Sequence, residues 1–339
     1  MPGSRARRGR RWARAITSVV LTAAVVEYAV LPQLVRGRAE LDRISDVSPW
    51  LVGLALLLEA ASLSSYTWLT QATVPAPHRL GWPTQLAMDL TGFGASHVLP
   101  GGGTTATAIR YRLMTSRGIP RPDVISTTAV EATFSYLGLL LTYCAGVGLA
   151  LPQLNDHPAY VITAAAGLLL VGASGLGSAF LARNRPGTHV ARVEPLRSPR
   201  LQQWARQWRE LVGDIRAFLA DHERRNSALL FAVGNWLLDA ACLWVCLAAF
   251  GVLVPPGLLL TAYGAANLLG LLPITPGGLG VIEGVLMPAL IAFGVVGSVA
   301  VLGVLGWRVF QFWLPIPVGG LAYGALRVSD LRAGRDLSA

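Results

Sequence analysis

Apolar positions in this chain do not alternate with polar ones at the period of a solvated strand or helix. They come as long unbroken runs separated by arginine-rich segments. A helix needs about 20 consecutive apolar residues to cross a hydrocarbon layer. Runs at 15–35, 49–70, 124–151, 160–182, 227–251 and 297–327 satisfy that requirement and predict six full spans. Two further apolar stretches, 84–115 and 257–294, are each interrupted at the middle. The first carries Leu99-Pro100-Gly101-Gly102-Gly103-Thr104-Thr105 and the second Pro273-Ile274-Thr275-Pro276-Gly277-Gly278-Leu279-Gly280-Val281-Ile282-Glu283. Proline removes a backbone donor and glycine admits positive φ, so each run breaks its helix. Inside a bilayer, opened backbone survives only against protein or a wet cavity. The predicted fold class is therefore an all-α polytopic membrane protein with six spans and two re-entrant broken hairpins.

Composition agrees. Of 339 residues, 53% are hydrophobic and 14% charged, which excludes an ordinary soluble enzyme. The 28 basic residues are all arginine and the formal net charge is +10. Such a charge could attract nucleic acid, but these arginines flank apolar runs, where the positive-inside rule puts them, so no nucleic-acid partner is expected. Residues 1–14 form a basic start, 183–226 a loop with ten arginines against five acids, and 328–339 a basic tail. All three belong on the cytoplasmic side, and the first run reads as a retained span rather than a signal peptide.

Were 84–99 a crossing, Arg110, Arg112, Arg117, Arg121 and the long loop would face outward, so charge favours re-entry for the first hairpin. For the second, re-entry and two short crossings give the same parity. In the loop, Leu201, Trp204, Trp208, Leu211, Ile215 and Phe218 form one apolar helical stripe. Such a helix lies on the inner leaflet or docks on the protein's own spans.

The halves 15–182 and 227–327 share an order: acid-bearing span, broken hairpin, charged span. Glu59, Gly101 and Glu131 are spaced along the chain much as Asp239, Gly277 and Arg308 are. With opposite hairpin entry this is an inverted repeat, a common carrier design.

Six acids lie within apolar sequence, Glu27, Glu59, Asp89, Glu131, Asp239 and Glu283, together with Arg308. Each costs at least about 2.5 kcal/mol at mid-membrane, so such residues pair or do work. Glu27 reads as structural. Glu59, Glu131, Asp239, Glu283 and Arg308 are the candidates for a translocation path. Helix starts after glycine present unpaired N–H groups and a positive dipole end, suited to a phosphate. Gly101, Gly102, Gly103, Gly277 and Gly278 supply such starts, Thr104 and Thr105 supply hydroxyls, and Arg110 and Arg112 supply bidentate charge. The plainer reading makes these arginines interface anchors. Cys144, Cys242 and Cys246 and five scattered histidines have no metal-ligand spacing, so neither metal nor cofactor is expected.

Leu99-Pro100-Gly101-Gly102 with Arg110 and Gly118, and Asn267 with Pro273-x-Thr275-Pro276-Gly277-Gly278-Leu279-Gly280-Val281-x-Glu283, resemble the motifs of the flippase-like transmembrane family named for lysylphosphatidylglycerol synthase. That family includes the membrane half of the multiple peptide resistance factor. The resemblance covers roughly residues 10 to 330. It implies a bacterial plasma-membrane protein that moves a phospholipid or lipid-linked headgroup between leaflets, with Asn267 beside the path. It also implies a membrane lipid, anionic or lipid-linked, as partner, and no lysyl-lipid synthesis by this chain itself. Two other classes fit the same residues: a membrane-embedded transferase using a polyprenyl-phosphate donor, and a non-catalytic partner of a separate lipid synthase.

Overall fold

A computed structural model describes residues 48–99, 102–151, 212–271 and 275–332. The predicted spans at 15–35 and 160–182 lie outside them, as do Glu27, Pro100, Gly101 and most of the loop stripe. Among the described residues every regular element is helical, and four helices are long and apolar enough to cross a membrane. The described part is all-helical, and the chain is a membrane protein.

Helix α1 (Pro49–Thr73) leads through a short 3-10 turn (Ala76–His78) to α2 (Trp82–Val98), α3 (Gly103–Ser116) and α4 (Arg121–Ala150). After the loop come α5 (His222–Ala248), α6 (Pro256–Gly270), α7 (Val281–Ala292), α8 (Gly297–Arg308) and α9 (Pro315–Arg332). α5 begins five residues before its apolar run. The Asp221 carboxylate accepts from Arg224 N (3.1 Å) and caps a polar first turn that hydropathy alone passes over. α8 and α9 are joined by a π-helical stretch, Val309–Trp313, with Leu314 N bonded to Val309 O at 2.8 Å. Pro315 follows at once. Proline has no N–H for a regular turn, and the wider winding takes up that fault without ending the helix.

α1 and α5 run antiparallel, stitched by Ser62 Oγ to Asn235 O (3.0 Å) and Ser65 Oγ to Phe231 O (2.9 Å). At one end Arg224 donates to the carbonyls of Ala72, Thr73 and Val74. His78 meets Asp123 (2.6 Å) and Arg117 meets Asp330 (2.9 Å) at the same end, which also holds the start of α2 and the end of α3. α2 and α3 thus leave and return by one end, here termed the basic end. α6 starts at the other end, where Gly257 lies against Ala150, and α7 folds back along it from a tip where Gly270 meets Ile282. Among the described residues that opposite end carries no arginine.

Close approach explains one of the helix pairings. A Cβ on Gly94 would lie 2.5 Å from Pro315 O, and one on Gly319 2.5 Å from Leu90 O, so α2 and α9 touch backbone to backbone. Leu243, Leu247, Tyr263, Leu286 and Trp307 are fully buried where α5 to α8 meet. The described end of the loop stripe docks on the protein: Phe218 is buried with Leu69, Phe134 and Ala232.

Candidate functional site

Each broken hairpin begins with backbone that only glycine accepts readily. Gly102 has φ 47° and caps α3, and Gly277 has φ 58° in the turn before α7. The two tips meet. His97, on the last turn of α2, and Phe312 both lie against Gly277, where an added Cβ would collide with the His97 ring and fall 2.5 Å from that of Phe312. The His97 ring packs on Phe93 (4.7 Å between centroids) and on Phe312 (4.4 Å). A polar chamber shared by the two breaks is the natural expectation for opened backbone in lipid. The described residues instead place aromatic rings there, which shield the turn by packing rather than by water.

Three buried charge clusters surround this contact. On the first hairpin, Arg110 makes a two-pronged contact with Glu131 (2.8 Å to each oxygen) and an ion pair with Asp89 (2.9 Å). Tyr66 donates to Glu131, Thr70 donates to it at 3.1 Å, and Gln85 donates to Asp89 at 3.0 Å. One cation is therefore held by two carboxylates, and neutral donors satisfy much of the surplus negative charge.

Beside the second tip, Arg308 Nε stands 2.6 Å from Glu283 Oε1, and its Nη1 donates to Gln311 (2.8 Å). Glu283 Oε2 accepts from Gly280 N (2.6 Å), so the same carboxylate caps α7. The guanidinium lies over Trp307 (4.9 Å) and Phe312 (5.6 Å). Arg308 is 1% exposed, yet its Nη2 has no hydrogen-bond partner among the described residues, and neither has His97 Nδ1.

The third cluster is a pair of acids. Asp239 accepts from Tyr263 Oη (2.5 Å) and Trp307 Nε1 (2.6 Å), and Glu59 hydrogen-bonds to it. Trp307 and Arg308 are neighbours on α8, so one helix turn carries partners of both the acid pair and the tip.

A cavity of about 800 Å³ opens between α2, α3 and α9. It runs from Leu99 at the first break to Arg112, Arg121 and Arg327 at the basic end, between apolar walls that include Val98, Ile109, Leu113 and Ile316.

The predicted site residues are thus divided. Glu59 and Asp239 come together, as do Glu131 with Arg110 and Glu283 with Arg308 and the Gly277–Gly278 turn. Arg112 lines the cavity; Arg110 does not, being enclosed by its two carboxylates. Gly103 and Thr104 are exposed at the start of α3, Thr105 is half-buried, and Asn267 is buried with its amide turned back to Tyr263 O (3.0 Å). Sequence reasoning passed over Phe312 and the cavity arginines Arg121 and Arg327. The last two read as loop and tail charges, and no local signal places them beside α2.

A family model described as the lysylphosphatidylglycerol synthase TM region matches residues 12–319. A UPF0104 membrane protein of Methanothermobacter thermautotrophicus is 24% identical over 308 residues, covering 83% of this chain and 85% of that relative. A shorter match to a UPF0104 membrane protein of the same organism is 31% identical over 87 residues, 26% of each chain. The chain belongs to the lysylphosphatidylglycerol synthase transmembrane family.

Proposed function

From that membership, we propose that the chain carries a phospholipid or lipid-linked headgroup between the two leaflets of a membrane. The observation that carries this reading is the meeting of two broken hairpins, from opposite ends of the bundle, beside a headgroup-sized cavity between α2, α3 and α9. Pockets for single small ligands measure roughly 300–1,000 Å³, a range that includes this one. In this reading both hairpins are re-entrant, the halves form an inverted repeat, and the basic end is cytoplasmic.

The closed contact of His97, Phe312 and Gly277 is then a plug. A headgroup enters between α2, α3 and α9, and the plug must part for it to pass Arg308. There the guanidinium has an N–H to offer, so a phosphate can be received while Glu283 keeps the cap of α7. The acid pair at Glu59 and Asp239 sits behind the same turn of α8, joined to it through Trp307.

The test is leaflet exchange of labelled lipids in reconstituted vesicles. Arg308→Ala is expected to slow exchange at least about tenfold, or 1.4 kcal/mol in the barrier. Exchange at the unmodified rate would remove Arg308 from the path. Product formation from a polyprenyl-phosphate donor in detergent, where no leaflets exist, would replace translocation with transfer.

A further inference from the structure

The charge of the cavity narrows its ligand. Of the residues that line it, Arg112, Arg121 and Arg327 are positive and none is acidic. Seven described acids are engaged elsewhere: Asp89 and Glu131 with Arg110, Asp123 with His78, Glu283 with Arg308, Asp330 with Arg117, and Glu59 with Asp239. No described carboxylate forms an ion pair with the three cavity arginines; Arg327 rests over the ring of Tyr323 at 5.8 Å. Of the lining hydroxyls, Thr91, Thr115 and Ser116 donate to backbone carbonyls, which leaves Tyr323 as a neutral donor beside the three arginines. An anion in this space would be held by guanidinium groups, with an apolar wall beside it for a chain.

We propose that this cavity receives a lipid whose phosphate group carries at least two negative charges, a terminal phosphomonoester or a diphosphate, and that it turns away cationic aminoacylated headgroups. The inference rests on the translocation reading for its purpose but on charge alone for its content. A phosphodiester brings one charge and leaves two arginines unmatched. A phosphomonoester or diphosphate presents several oxygens to planar donors that bind them in pairs. An ammonium group would add to a charge of three and gain no acceptor.

Binding to the full chain in neutral detergent, with no leaflets present, separates this claim from transport. Phosphatidic acid is expected to bind at least about tenfold more tightly than phosphatidylglycerol, which corresponds to 1.4 kcal/mol, and lysylphosphatidylglycerol weakest of all. Arg112→Gln, Arg121→Gln and Arg327→Gln combined should erase the difference at an unchanged melting temperature, since all three side chains are exposed. Equal or tighter binding of the lysyl lipid, or a preference that survives the triple variant, would overturn the assignment. Inorganic pyrophosphate binding as tightly as phosphatidic acid would overturn the lipid part, making the cavity a site for a soluble anion.

Discussion

Arg110 and Arg308 are both buried, each beside one of the two broken hairpins, and they are held in opposite ways. Arg110 has two carboxylates, and both of its terminal nitrogens are bonded within them. Arg308 has one carboxylate, which is also committed to a helix cap, and a terminal nitrogen left without a partner. The first arrangement resembles a rivet joining α2, α3 and α4. The second leaves a terminal nitrogen unbonded at the point where the hairpins touch, whereas on Arg110 only Nε is unbonded. A buried guanidinium therefore says little about its role until its carboxylates are counted.

The largest expected effect tests the rivet. Arg110→Ala strands two buried carboxylates and should cost about 3–5 kcal/mol of stability, measured by unfolding in detergent. Arg308→Ala should cost less, about 1–3 kcal/mol, because Glu283 retains the Gly280 N–H. Equal losses at the two positions would erase the distinction between them. Gly277→Ala comes next, since it puts a side chain at φ 58° against His97 and Phe312. The strain is about 1–3 kcal/mol and should push the plug apart, so a thiol-reactive probe should label Ser96→Cys, next to His97 on α2, faster in the Gly277→Ala background. Unchanged labelling would mean that the turn yields while the rings stay closed. The smallest effect belongs to Asp239→Asn. A carbonyl oxygen remains for one of the two donors, so the loss should be about 1 kcal/mol; a drop as large as that of Arg110→Ala would show that Asp239 anchors α5 to α6 and α8 as firmly as Arg110 joins its own helices.

Hydropathy and backbone chemistry were enough to foretell four long spans, the two breaks and five acids that had to be buried among the described residues, because run length, proline and glycine act within a few residues of themselves. The same local rules missed the polar start of α5, which depends on Asp221, and the π-helical turn before Pro315. Pairing was beyond them. Arg110 and Arg112 are two residues apart and equivalent by composition, yet one is enclosed by Asp89 and Glu131 while the other lines the cavity with Arg121 and Arg327. The contact of His97 with Gly277 and Phe312 likewise joins segments far apart in the chain. Cost of burial is a property of a residue and its neighbours along the chain, so sequence reveals it. Which opposite charge or ring relieves that cost depends on distances that exist only once the helices have packed.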